Sequence, residues 1–196
     1  MARGEAGALI TICLTTPRLE LRRFTSADLP AFAAYRNDPE VARYQSWENE
    51  TAEEAAAFIE EQSTLEPGLP GRWFQFAVAL SPEGRLIGDC GLQIDAPDPR
   101  LGEIGFTFGR EHQGRGYAFE AVATLLRFAF EDLSLHRVRA VVDCANGRAV
   151  VLLGRLGLRR EGHFLQRSWF KGGWSDEYEF AILAEEWRDR SRRGAP

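Results

Sequence analysis

Apolar and polar positions alternate along Arg18–Phe24, with Leu19 and Leu21 set against Glu20 and Arg22, which is the two-residue period of a half-buried strand. A helical pattern carrying Leu29, Phe32 and Ala33 follows, and Ser26 or Asp28 can cap it. Thr51 with Glu54 three residues later is a capping-box pattern for a second helix running to about Gln62. Trp73–Leu80 and Leu86–Ile94 read as strands joined by the turn Ser81-Pro82-Glu83-Gly84. In the next strand Ile104, Phe106 and Phe108 alternate with Glu103, Gly105 and Thr107. From Ala118 the period changes: Ala121, Val122, Leu125, Ala129 and Leu133 share one helical face, with Glu120, Thr124, Arg127 and Glu131 opposite. Arg137–Asp143 is a buried strand with Val138, Ala140 and Val142 on one face. Asn146 can cap the helix after it, and Gly157 suits its end. Two closing strands, about Arg160–Trp169 and Glu177–Leu183, surround a turn containing Gly172 and Gly173.

This order predicts an α/β fold on a mixed sheet. At 196 residues the chain is long enough to bury a sizeable core and is expected to form one domain over residues 16–187. Residues 1–15 are expected to be an arm or an added edge strand, and 188–196 a C-terminal tail whose last residues, 192–196, fray.

Charge narrows the function classes. Lys plus Arg total 24 against 29 Asp plus Glu, a formal charge of −5, which argues against a general nucleic-acid-binding surface. Acidic residues gather between Glu48 and Glu66, either as a solvated helix face or as an attraction for a cationic acceptor. Cys13, Cys90 and Cys144 lie far apart, and His112, His136 and His163 have no metal-ligand spacing, so no metal site is expected. The apolar stretch Leu9–Leu14 is too short to span a membrane and no signal-peptide cleavage pattern follows it, so a cytoplasmic protein is expected.

The junction between the strand ending at Phe108 and the helix after it holds the candidate chemistry. Gly114 and Gly116 permit positive φ and let backbone N–H groups approach an anion at the positive end of a helix dipole. A dinucleotide loop does not fit, because Phe119 stands where a third glycine is needed, and the Gly-Lys-Ser/Thr of a Walker loop is missing. There is no G-x-S-x-G elbow, and no cysteine stands beside an identifiable histidine, so no covalent intermediate is implied.

Gln113-x-x-Gly116-x-Ala118 resembles the acyl-coenzyme A loop of the GNAT acetyltransferase superfamily. Thr16-Pro17-Arg18-Leu19-Glu20-Leu21-Arg22, Gly88-Asp89-Cys90-Gly91-Leu92, Glu103-Ile104-Gly105-Phe106, Asn146 with Leu156-Gly157-Leu158, and Gly173-Trp174-Ser175-Asp176 with Tyr178 are similar to its ribosomal-protein N-terminal (Rim-type) branch. The resemblance implies a mostly antiparallel central sheet flanked by helices, with a splayed strand pair holding acyl-coenzyme A. It implies that the pantetheine arm pairs with the backbone of Phe106, Thr107 and Phe108, that Gln113, Gly114, Arg115, Gly116, Tyr117 and Ala118 hold the pyrophosphate, and that Asn146 contacts the arm. The acceptor pocket would be walled by the Arg43–Trp47 region, with Tyr44 and Trp47 as contacts. The implied reaction is direct acetyl transfer from acetyl-coenzyme A to a primary amine, in first place a peptide or protein N-terminus, with Glu103 as general base, directly or through water. Many members of the branch carry a serine three residues after the asparagine. Here that position is Ala149. A small-molecule amine as acceptor, or a non-catalytic acyl-coenzyme A binding module, are the alternatives.

Overall fold

A computed structural model describes residues 12–48 and 50–192. Eight strands form one sheet in the order β1-β2-β3-β4-β5-β6-β8-β7: β1 Cys13–Thr15, β2 Leu19–Arg22, β3 Trp73–Leu80, β4 Leu86–Ile94, β5 Leu101–Phe108, β6 Arg137–Asp143, β7 Arg159–Phe170 and β8 Gly173–Leu183. Every neighbouring pair is antiparallel except β5 and β6, which run parallel.

Strand parity sends side chains to two cores. Phe74, Phe76 and Val78 of β3, Cys90 and Leu92 of β4, Ile104 of β5 and Val138 of β6 pack with Ala121, Val122 and Leu125 of α4 (Tyr117–Arg127) and with Leu153 and Leu156 of α5 (Gly147–Leu156). On the opposite face Ala77 and Leu86 pack with Phe24, with Phe32 and Tyr35 of α1 (Leu29–Arg36), and with Ala55 and Ile59 of α3 (Ala52–Thr64). Thr51 caps α3 through the expected reciprocal pair, accepting from Glu54 N at 3.2 Å while Glu54 Oε2 accepts from Thr51 N at 2.8 Å.

Several elements depart from the pattern-based expectation. Asp28 stands at the N-cap of α1, as expected, but its side chain makes no cap bond there; a 3₁₀ turn over Ser26–Asp28, itself capped by Thr25, precedes the helix. Asp28 turns back to accept from Thr25 N at 2.8 Å and to pair with Arg22 at 2.7 Å. A short helix, α2 (Pro39–Ala42), follows α1 and is capped by Asp38. Beyond Arg127 the α4 helix widens into a π-helical turn over Phe128–Asp132, closed by Leu133 N donating to Phe128 O at 3.1 Å. This turn buries Phe128, Ala129 and Phe130 in succession. The chain after β8 continues as α6 (Ala184–Arg192), which takes in the first part of the expected C-terminal tail, and Trp187 anchors it against Phe130 with ring centroids 6.0 Å apart; residues 193–196, expected to fray, lie outside the described residues. Of the N-terminal arm, Cys13–Thr15 forms an edge strand on β2, and residues 1–11 lie outside the described residues.

One irregularity positions everything that follows. β5 and β6 pair only at Leu101–Glu103 with Arg137–Arg139, while β5 stays on β4 as far as Phe108 and β6 stays on β8 as far as Asp143. Past the third pair the two halves of the sheet diverge. Close contact between β4 and β5 fixes one half: a Cβ on Gly88 would stand 2.3 Å from the Thr107 carbonyl oxygen and 2.9 Å from Phe108 Cα.

Gly88→Ala is therefore expected to cost about 1–3 kcal/mol, the usual range for overpacking. Gly147→Ala, where an added Cβ meets nothing within 4 Å, serves as the control. Urea denaturation compares the two, and equal stabilities would contradict the close-approach argument.

Candidate active site

The divergence of β5 and β6 opens a cleft of about 170 Å³ that runs through the sheet. One mouth is lined by Ile104 and Phe106 with Ala140, Val142, Ala149 and Leu153, on the face covered by α4 and α5. The other is lined by Gly105, Val141, Asp143, Ser175 and Glu177, with Tyr44 and Gln45 beside them. Pockets that enclose whole small molecules hold about 300–1,000 Å³, so this cleft suits the reactive end of a long ligand whose remainder lies along the surface.

At the far end of β5 the chain turns into α4. Gly114 and Gly116 both adopt left-handed backbone, φ 73° and 82°, and Gly116 is the N-cap of α4 without a side-chain cap bond. The N–H groups of the first turn thus receive no side-chain cap bond, which is the arrangement an anion can satisfy. Gln113 begins this loop, and its side chain is engaged at both ends: Nε2 donates to Phe108 O at 2.9 Å, and Oε1 accepts from Arg148 Nη1 at 2.6 Å. Arg115 is exposed and meets no carboxylate within ion-pair distance among the described residues.

Thr16 and Arg18, in the turn between β1 and β2, brace the loop. Arg18 Nε donates to Glu120 Oε2 at 2.7 Å and Nη1 to the Arg115 carbonyl at 3.2 Å, while its guanidinium lies 4.7 Å from the centre of the Tyr117 ring. The Thr16 hydroxyl donates to Glu120 Oε1 at 2.5 Å. Burial works to raise the Glu120 carboxyl, but the bonds from Thr16 and Arg18 and the Arg18 charge together outweigh it and leave the group lowered. Glu120 therefore stays a neutralised anion at the loop's border.

Glu103 stands at the last paired rung before the strands part, opposite Gln93 on β4 and Arg139 on β6. Its Oε2 is 2.7 Å from Arg139 Nη2, and it borders the apex without lining the wall of the cleft. The carboxylates on the wall are Asp143 and Glu177, directly opposite each other in the β6–β8 register. Asp143 accepts from Ala145 N at 2.7 Å and from the Ser175 hydroxyl at 2.6 Å. Glu177 accepts from the Ser168 hydroxyl at 2.6 Å, with Arg167 Nε 3.5 Å away. Sequence reasoning missed this pair, because cross-strand register is not written in either strand alone.

Tyr44 lines the cleft and its hydroxyl donates to Ala145 O at 3.2 Å. Trp47 instead turns inward: Nε1 donates to Arg36 O at 3.3 Å, and its ring lies 3.7 Å from the Arg36 guanidinium, which is buried between it, Phe32 and Phe58. Lys171, at the tip of the β7–β8 hairpin, donates to Ala42 O and reaches Glu48 at 3.8 Å. The 42–48 segment is held from both sides. Asn146 caps α5, its Oδ1 accepting from Ala149 N at 3.2 Å.

Among the described residues no group of three or more His, Cys, Asp or Glu is arranged to hold a metal ion, and no helix is long and apolar enough to cross a membrane. Open helix-terminal N–H groups, a glycine turn without Cβ atoms and an unpaired arginine fit a pyrophosphate. The adjoining cleft, with unpaired strand edges, fits an amide-bearing arm.

The acetyltransferase (GNAT) domain model matches residues 18–159. Over 175 residues, 89% of this chain and 97% of the relative, the chain is 32% identical to a Bacillus licheniformis protein named uncharacterized N-acetyltransferase p20. Over 84 residues, 43% of each chain, it is 31% identical to the ribosomal protein uS5-alanine N-acetyltransferase of Escherichia coli. A crystal structure of a GNAT-family acetyltransferase from Bacillus anthracis superposes with a TM-score of 0.78 at 28% identity, covering 89% of this chain and 99% of that one.

Gly116→Val tests the loop. A β-branched residue is strained at φ 82°, and its side chain would stand in the approach to the α4 N–H groups. Calorimetry on the folded variant is expected to find acetyl-coenzyme A binding weakened at least tenfold. Undiminished affinity would remove the loop from the site.

Proposed function

The chain belongs to the GNAT acetyltransferase family, and from that premise we propose that it transfers acetyl from acetyl-coenzyme A to the α-amine of a peptide or protein N-terminus. The observation that carries this reading is the parting of β5 from β6 into a cleft that ends at the uncapped first turn of α4. The peptide acceptor is supported by the likeness to an enzyme named ribosomal protein uS5-alanine N-acetyltransferase. It is also supported by chemistry: an α-amine has a pKa near ~8 against ~10.4 for a lysine side chain, so less work is needed to free its lone pair at neutral pH.

Acetyl-coenzyme A supplies the acetyl group as a thioester. The backbone edge of Phe106, Thr107 and Phe108 pairs with the amides of its arm as an added strand, and Asn146 offers its amide N–H groups beside the same path. Gln113 through Ala118 hold the pyrophosphate, chiefly through main-chain N–H groups, because the Gln113 side chain is already engaged. Strand N–H groups facing the gap polarise the carbonyl under attack. The amine nitrogen forms the new C–N bond as the C–S bond breaks, and the amine's proton leaves through a water molecule to Glu103, whose carboxylate Arg139 holds in place. Ala149 has no hydroxyl to give, so the departing thiolate takes its proton from solvent. Tyr44 borders the acceptor's path, and Trp47 supports it from behind through Arg36. The facing carboxylates Asp143 and Glu177 favour a second reading, in which the acceptor is a small polycationic amine.

Two experiments test these assignments. Glu103→Gln is expected to lower kcat by about 10²-fold at neutral pH, with activity recovering as pH rises, the signature of a lost base. A loss confined to the acceptor KM would make Glu103 a positioning residue. Comparing kcat/KM across short N-terminal peptides, polyamines and aminoglycosides tests the acceptor class, and turnover confined to the small amines would overturn the peptide assignment.

A further inference from the structure

We infer that Arg148 is a phosphate-binding residue, closing on the pyrophosphate from the lip of the cleft opposite the glycine loop. This inference rests on the reading of that loop as a coenzyme A site. The cations around the loop divide by their partners. The charge of Arg18 is committed to Glu120 at 2.5 Å, and Arg110 pairs with Asp38 at 3.2 Å. Arg148 is exposed and has no carboxylate within ion-pair distance among the described residues. Its one side-chain hydrogen bond among the described residues is made to a neutral group, Gln113 Oε1.

The direction of that bond matters. Arg148 lies in the first turn of α5, which follows β6, whereas Gln113 follows β5 and is anchored to its last residue, Phe108. The Arg148–Gln113 contact therefore bridges the two halves of the sheet at the point where the cleft meets the loop. Helix stability does not explain a cation there, since the positive end of the helix dipole disfavours positive charge in the first turn. The uncapped N-terminus of α4 adds positive potential from the other side. An anion between them removes both penalties, and a guanidinium with most of its donors free can grip a phosphate in bidentate fashion. Gln113 holds the side chain in place until that anion arrives.

Calorimetry with coenzyme A, dephospho-coenzyme A and pantetheine, on wild type, Arg148→Gln and Arg148→Lys, tests the assignment. Arg148→Gln is expected to weaken coenzyme A and dephospho-coenzyme A alike by about tenfold, to leave pantetheine unchanged, and to flatten the salt dependence of coenzyme A binding. Arg148→Lys, which keeps the charge without the fork, is expected to fall between the two. Wild-type affinity in Arg148→Gln would overturn the inference. So would a loss seen only with the 3′-phosphate present, which moves Arg148 to that group, or an equal loss with pantetheine, which makes its role structural. Failure of the wild-type protein to bind coenzyme A would instead overturn the site itself.

Discussion

Two parallel strands that stop pairing in the middle of a sheet leave rows of backbone N–H and C=O groups facing each other across a gap, and buried groups of that kind need partners. In this protein the separation begins after Glu103 and Arg139, and the rest of the site depends on its being held open. Each side has its own support. β5 is kept on β4 through Gly88 opposite Phe108, and β6 is kept on β8 through Asp143 opposite Glu177. Across the gap, Arg148 reaches Gln113 on the face of α4 and α5, and Tyr44 reaches Ala145 beside the acceptor mouth. The apex is fixed by Glu103 and Arg139. A ligand arm with its own amides can then complete the sheet where the protein does not.

The same apex joins an ionic ladder on the face away from α4 and α5. Arg139 approaches Glu179 at 3.7 Å, Arg137 links Glu179 to Glu161, and Arg159 links Glu161 to Glu186 of α6. Partly exposed pairs contribute little one by one. Their arrangement still constrains orientation, because Glu103 is one end of a chain of alternating charges and its carboxylate has a defined direction. A base that works through water benefits from that, since the water must be held in line with the amine.

Local periodicity explains why so much of the scaffold was legible. The six long strands and helices α3, α4 and α5 were readable from their apolar patterns, α3 and α5 also from their caps Thr51 and Asn146, and the glycine turn is a local feature of Gly114 and Gly116. What escaped had no local signature. α6 reads Ala-Glu-Glu-Trp-Arg-Asp-Arg-Ser-Arg, with Trp187 as its one large apolar anchor, and α2 is a single turn. The π-helical turn follows from packing Phe128, Ala129 and Phe130 together. Contacts that join distant segments were also invisible: Arg18 meets Glu120 across 102 residues, Asp143 meets Glu177 only through register, and Arg36 draws Trp47 inward with an aromatic cage that no spacing rule describes.

Amide hydrogen exchange, with and without acetyl-coenzyme A, tests the gap most directly. Bound ligand is expected to slow exchange in three segments together: 104–108 of β5, 113–118 of the glycine loop, and 140–143 of β6. Saturating ligand that left both strand segments unchanged, or protected only the opposite face around α1 and α3, would contradict the account.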